Sequence, residues 1–187
     1  MANHCYNTAN ITGKKAKLDL FEKRLAKATT KQSSLWWQTY FTVLGQVVQD
    51  GDVYQEFGSR WFEPFWERHS PTHGVLSGDS AWSPISEFLR KLSEVYGFTI
   101  ESDYEEGGMD FGGWFDCENG EITKDKCVSY HVYRFMESDT EFFYSVIEDA
   151  EEGYWESIHN LDPKFVEMLS ETQKQELIQA INKSQQK

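Results

Sequence analysis

Apolar and polar residues alternate near the start of the chain, with Cys5, Ala9 and Ile11 set against Tyr6, Thr8 and Asn10, and Gly13 closing the run. A period of two predicts a strand. From Lys14 to Ala28 the period becomes helical: Leu18, Phe21 and Leu25 form one stripe, and Lys14, Lys15, Lys17, Lys23, Arg24 and Lys27 cover the remainder. A second helix is expected through Trp37, Tyr40, Phe41, Leu44 and Val48, capped by Ser33 or Ser34 and ended by Gly51. The stretch 52–72 carries Tyr54, Phe57, Trp61, Phe62, Phe65 and Trp66 but is broken by Gly58, Pro64 and Pro71, so it reads as a packed, irregular insertion.

Gly74 to Trp82 reads as a strand, and Ser83-Pro84 supplies a cap and a first-turn proline for a helix through Ile85, Phe88, Leu89, Leu92 and Tyr96 that Gly97 stops. Phe98, Ile100 and Tyr104 then alternate with Glu101, Asp103 and Glu105, which predicts a strand that is apolar on one side and lined by carboxylates on the other. The alternation continues over 109–118, with Met109, Phe111, Phe115 and Cys117 facing one way and Asp110, Trp114, Asp116 and Glu118 the other. Residues 128–135 read as a further strand. Ser138 and Glu141 have capping-box spacing ahead of a helix through Phe142, Phe143, Val146 and Ile147, and Asp162-Pro163 opens a last helix through Phe165, Val166, Leu169, Leu177, Ile178 and Ile181.

This order predicts an α+β fold: a ferredoxin-like antiparallel sheet with helices mainly on one face, an aromatic-rich helical insertion and C-terminal helices. A length of 187 residues suits one domain, 1–187, with the insertion at about 31–73 and the C-terminal helical extension at about 138–187. Three blocks carry a family resemblance: Asn3-His4-Cys5-Tyr6-Asn7 through Ile11-Thr12-Gly13; Phe57-Gly58-Ser59-Arg60-Trp61; and Ala81-Trp82-Ser83-Pro84 through Tyr104-Glu105 to Met109-Asp110-Phe111-Gly112-Gly113. In their order and spacing they resemble the YubB-type ferredoxin-like domain family of bacteriophages and conjugative plasmids. The resemblance implies that topology and a mobile-element origin, and transfers no catalytic residue. Three cysteines cannot build the usual four-thiolate iron–sulfur site, so the fold name describes topology only.

Charge changes the picture more than composition does. Between Glu101 and Asp162 stand 18 acidic residues against 3 basic ones, whereas the whole chain carries a net charge of −13. Such a region repels nucleic acid and attracts basic protein surfaces. No apolar run reaches the length of a membrane span, the N-terminus has no secretory pattern, and Cys5, Cys117 and Cys127 fit a reducing compartment, so a cytoplasmic protein is expected.

Catalytic and metal chemistry find little support. Cys127 with His131, His4-Cys5, and His69 with His73 have no recognised ligand spacing, and no nucleophile elbow occurs. Gly107-Gly108 and Gly112-Gly113 sit among Glu105, Glu106, Asp110 and Asp116, which oppose a phosphate, so a turn and a close backbone contact are expected there. No cofactor, metal or catalytic residue is therefore assigned. The candidate partner-binding residues are Glu101, Asp103, Glu105, Asp110, Trp114 and Asp116, together with Glu148, Asp149, Glu151, Glu152, Tyr154 and Trp155. Carboxylates repeating every ~6.6–6.8 Å along a strand can stand in for backbone phosphates, and the aromatics can anchor the contact. The expected partner is a host protein with a basic surface: a nuclease, a restriction enzyme or a nucleotide-modifying toxin. The alternative is nucleic-acid binding through the basic first helix and exposed aromatics. A homodimer is compatible with a basic helix and an acidic C-terminal half in each copy.

Overall fold

The computed structural model describes residues 4–30, 37–46 and 53–186, with backbone alone at 29, 30, 37–39 and 139. The expected caps Ser33 and Ser34, and Val48 and Gly51, lie outside these residues. Two compact units are present: Met1–Met109 with Gly113–Cys127, and Asp110–Gly112 with Val128–Lys187.

The first unit holds β1 (His4–Thr12), α1 (Lys15–Thr30), α2 (Trp37–Leu44), α3 (Val53–Phe57), β2 (Phe62–Ser70), β3 (His73–Ala81), α4 (Ser86–Tyr96), β4 (Thr99–Glu106) and all but the terminal residues Phe111, Gly112 and Val128 of β5 (Phe111–Glu118) and β6 (Glu121–Val128). The sheet order is β2-β3-β1-β4-β5-β6. β1 is antiparallel to both β3 and β4, and β2 is antiparallel to β3. With α1 and α4 as crossovers, the first four strands form the βαββαβ ferredoxin-like arrangement, which β5 and β6 extend.

One sheet face is apolar because period-two patterning puts Cys5, Ala9, Ile11, Leu76, Ile100, Tyr104, Phe115 and Cys117 inward, all buried. Against it pack Leu18, Phe21 and Leu25 of α1 and Phe88, Leu89, Leu92 and Tyr96 of α4. Phe21 meets Trp66, Tyr96 and Phe98 edge-on at ring-centroid distances of 5.0, 5.9 and 6.0 Å. The aromatics of the inserted helices are core as well: Tyr40 stacks on Phe57 at 4.7 Å and meets Phe88 at 4.8 Å. Each such side chain stabilises the unit by about 1.5–3 kcal/mol of burial.

Two polar features fix the centre. Asn7, buried on β1, donates to Cys5 O at 2.8 Å, Ser80 Oγ at 2.9 Å and Gly78 O at 3.3 Å, and accepts from the Ile85 N–H at 3.1 Å. One amide thus joins β1, β3 and the start of α4. Gly78 has φ 145°, and a Cβ there would collide with the Glu63 carbonyl oxygen, so only glycine lets β2 approach β3.

The second unit contains α5 (Tyr130–Glu137), α6 (Asp139–Glu152), α7 (Pro163–Met168) and α8 (Glu171–Ser184). Phe135, Phe143, Val146, Phe165, Leu177 and Ile181 form its core. Asp162 caps α7 by accepting the Lys164 N–H at 2.7 Å. The nearby Ser129 hydroxyl, which is not in hydrogen-bond geometry with it, and then the backbone N–H groups of Lys164 and Phe165, hold its carboxyl below the usual carboxylate range. Its contribution is therefore complete above the unfolded-state value, near pH 4, and is lost as pH falls through the lower folded value. Asp162→Ala is expected to cost about 1 kcal/mol in urea unfolding at pH 7, and the gap from the wild type should close on acidification.

Several elements depart from the periodicity reading. Within the stretch expected to be irregular, Val53–Phe57 forms α3 and Phe62–Ser70 forms β2, a strand of the sheet. Pro64 is tolerated because β2 is an edge strand, where a missing N–H need not break a ladder. The strand expected over 128–135 is instead the end of β6 followed by α5, whose Val132, Tyr133 and Phe135 are buried at helical spacing. The last helix is two, parted at Leu169 and Ser170, with a capping box between Ser170 and Gln173. α4 starts from Ile85; Ser83 does not cap it but donates to the carbonyls of Gly58 and Ala81. Ser138 precedes α6 without a side-chain cap bond.

Candidate functional site

The sheet face opposite α1 and α4 bears the outward half of each strand; beside an end row of Ser70, His73, Thr12 and Thr99, strand register arranges it in three cross-strand rows. They read Glu63, Asp79, Tyr6, Glu105; then Phe65, Ser77, Thr8, Asp103; then Glu67, Val75, Asn10, Glu101. None of these positions is lysine or arginine. All are exposed or half-exposed, Phe65 at 64% and Tyr6 at 47%. Asp79 lies 3.5 Å from His4 Nδ1.

Glu101, Asp103 and Glu105 therefore share one face of β4, as the alternation predicts. Trp114 and Asp116 share an orientation on β5, with Phe115 and Cys117 buried on the other side. Trp114 is not a bare apolar anchor: the ammonium groups of Lys124 and Lys126 stand 5.3 and 5.1 Å from its ring centroid. Lys124 also lies 3.9 Å from Asp116. The β5–β6 part of the sheet is thus locally balanced in charge, and the one-sided field belongs to the four-strand part. Asp110 is a correction. It sits in a turn with φ 55°, accepts the Tyr130 N–H at 3.2 Å and lies 3.6 Å from His131, so it does not continue the face of Trp114 and Asp116.

The second expected cluster belongs to the other unit. Glu148, Asp149 and Glu152 are exposed near the C-terminus of α6, and Glu151 pairs with Lys183 at 3.0 Å. No basic residue occupies the last turn of α6, so these carboxylates stand against the helix dipole. Tyr154 is 70% exposed, whereas Trp155 packs onto the unit's core and meets His131 edge-on at 6.0 Å. Of the two proposed anchors only Tyr154 presents its ring.

Sequence reasoning missed Glu63, Phe65, Glu67, Asp79 and Tyr6 as members of the face. The signal was present in the alternation of Phe62, Pro64 and Trp66 with Glu63, Phe65 and Glu67, masked by the proline.

The cysteines and glycines offer other chemistry. Burial pushes the Cys5 thiol up to about 12 and the Cys117 thiol up to about 11, so neither is a thiolate at neutral pH. Among the described residues no group of three or more His, Cys, Asp or Glu is placed to hold a metal ion. Gly107 and Gly108 form a 3-10 turn, and a Cβ on Gly113 would strike the Lys126 carbonyl, so these glycines serve a turn and a close sheet contact. No helix of the described residues is long and apolar enough to cross a membrane.

Comparison with curated proteins gives no match. Among solved structures the chain is similar to the protein api92 from Yersinia pseudotuberculosis, at 12% identity and a TM-score of 0.46, over 70% of this chain and 98% of that one. Residues 61–145, from the start of β2 into α6, match the family model described as a ferredoxin-like domain in Api92-like protein, and the chain accordingly carries a ferredoxin-like domain similar to that family.

Proposed function

We propose that this chain is a phage accessory protein of the YubB-type kind, working in the host cytoplasm, that binds and inhibits a host defence or toxin protein by competing for a surface that otherwise holds nucleic acid or another anionic substrate. The observation that carries this reading is the open sheet face. Its β2 and β4 rows carry carboxylates at Glu63, Glu67, Glu101, Asp103 and Glu105, and none of the twelve positions of its three central rows is a lysine or arginine. Inhibition of this kind is stoichiometric and needs no catalytic group. The face's long-range field speeds encounter and sets orientation, and Phe65 and Tyr6 supply the area that loses water on contact.

Nucleic-acid binding by α1 is the second reading, favoured by the exposed Lys15, Lys17, Lys23 and Lys27 on the other side of the sheet. Asp19 and Glu22 dilute that stripe: Lys15 pairs with Asp19 at 2.6 Å and Arg68 with Glu22 at 3.0 Å. The deciding experiment combines affinity capture of the wild-type chain from host lysate at low and high salt with polarisation titrations of single-stranded and duplex DNA and RNA. Capture of a basic protein that weakens steeply with salt, and no nucleic-acid binding near 0.15 M salt, is expected. Nucleic-acid binding that Lys17→Ala with Lys23→Ala removes would select the second reading.

A further inference from the structure

The open face has a cross-section that specifies the shape of what it can hold. Two acidic rows flank its middle: Glu101, Asp103 and Glu105 on β4, beyond which β5 and β6 continue the sheet, and Glu63 and Glu67 on the edge strand β2, with Phe65 between them. Between them the middle and lower rows place Thr8, Asn10, Val75 and Ser77, short and uncharged side chains, while the upper row places Tyr6 and Asp79. Three inter-strand steps separate the acidic rows, about 14 Å, and an α-helix with its side chains is about 10–12 Å across. Along β4 the carboxylates repeat every ~6.7 Å, close to the ~6 Å rise between positions i and i+4 of a helix. An extended segment fits less well, because alternate side chains point away from the sheet and one row of cations cannot reach both acidic rows. A nucleic-acid backbone is repelled by both.

We infer that the partner element seated on this face is a basic amphipathic α-helix lying along the strands, with lysines or arginines at i, i+4 spacing on both flanks and small or apolar residues underneath, against Val75 and Phe65. The inference rests on the reading that the face binds a basic partner and adds the shape of the bound element. The α1 helix of a second copy does not meet the description, since its apolar stripe of Leu18, Phe21 and Leu25 is buried in its own unit.

Two fluorescein-labelled peptides of equal length and equal lysine content test it by anisotropy. One is a side-chain-stapled helix with lysines on both flanks and alanine and leucine underneath; the other is kept extended by interspersed prolines. The helix should bind at least about 10-fold more tightly, because both peptides are held in shape and only the helix presents cations to both acidic rows at once. The pair Glu63→Gln and Glu67→Gln should weaken it about as much as Glu101→Gln with Glu105→Gln, each by roughly 5-fold. Equal binding of the two peptides, with no effect of the β2 pair, overturns the helix and leaves the basic-partner reading standing. Binding of neither peptide at low salt, or helix binding indifferent to both pairs, overturns the helix together with the assignment of the face.

Discussion

Glu101→Lys, Asp103→Lys and Glu105→Lys together are expected to lower affinity for a basic partner by at least about 100-fold, since like charges placed opposite one another cost several kcal/mol. The uncharged set Glu101→Gln, Asp103→Asn and Glu105→Gln should lose roughly 10- to 30-fold and flatten the dependence of affinity on salt. The order matters more than either value. Reversal must exceed neutralisation if the force is electrostatic, whereas a shape-only contact would respond alike to both. Folding is little touched, because these side chains point away from the core of Ile100 and Tyr104 and surface substitutions typically shift stability within about 0.5 kcal/mol. Isothermal titration at two ionic strengths, with thermal unfolding of each variant as the control, reads both quantities.

The largest stability effect is expected inside the sheet, at Asn7. Its two amide N–H groups are shared among three acceptors and its oxygen accepts once, all within the buried junction of β1, β3 and the start of α4. Asn7→Ala strands the Ile85 N–H, at ~1–3 kcal/mol for a buried group left unsatisfied, and removes one of the bonds of Cys5 O and of Ser80 Oγ, which keep each other as partners at 3.3 Å. A total of about 3 kcal/mol is expected, or roughly 10 °C in melting temperature. Asn7→Asp is the sharper comparison. A carboxylate can still accept from Ile85 but cannot donate to Cys5, Gly78 or Ser80, and it is a charge without a counterion in a buried site. Asp should therefore be worse than Ala at pH 7 and recover partly in acid, where the protonated form regains one donor. Calorimetric melting of the three proteins at pH 7 and pH 5 reads the difference.

What the sequence made legible follows from how strong each local signal was. The β4 alternation of Ile100 and Tyr104 with Glu101, Asp103 and Glu105 is a period-two pattern with one apolar side, and it located both the strand and its carboxylate face. The stripe of Leu18, Phe21 and Leu25 did the same for α1. Where a pattern was interrupted, the reading failed for an identifiable reason. Pro64 and Pro71 hid β2, although an edge strand has no second neighbour that needs the proline N–H. With β2 unread, the second acidic row at Glu63 and Glu67 could not be joined to the first. Register is a long-range property, and nothing local in Tyr6 announces that it lies between Asp79 and Glu105. The segment from Tyr130 to Phe135 was ambiguous for a different reason: its short apolar run fits both periods, and burial of Val132 and Phe135 among the helices of the second unit decides for the helix. The position of Asp110 turned on its left-handed backbone, which alternation alone does not encode.

Hydroxyl-radical footprinting of the chain bound to its captured partner tests the central claim most directly, because the reactive rings are distributed so as to distinguish the faces. Phe65 and Tyr6 mark the open sheet face, while Tyr144 and Tyr154, 60% and 70% exposed, mark the second unit. The account predicts that Phe65 and Tyr6 become protected in the complex and that Tyr144 and Tyr154 keep their free-state reactivity. Unchanged oxidation of Phe65 and Tyr6 in a saturated complex would contradict it.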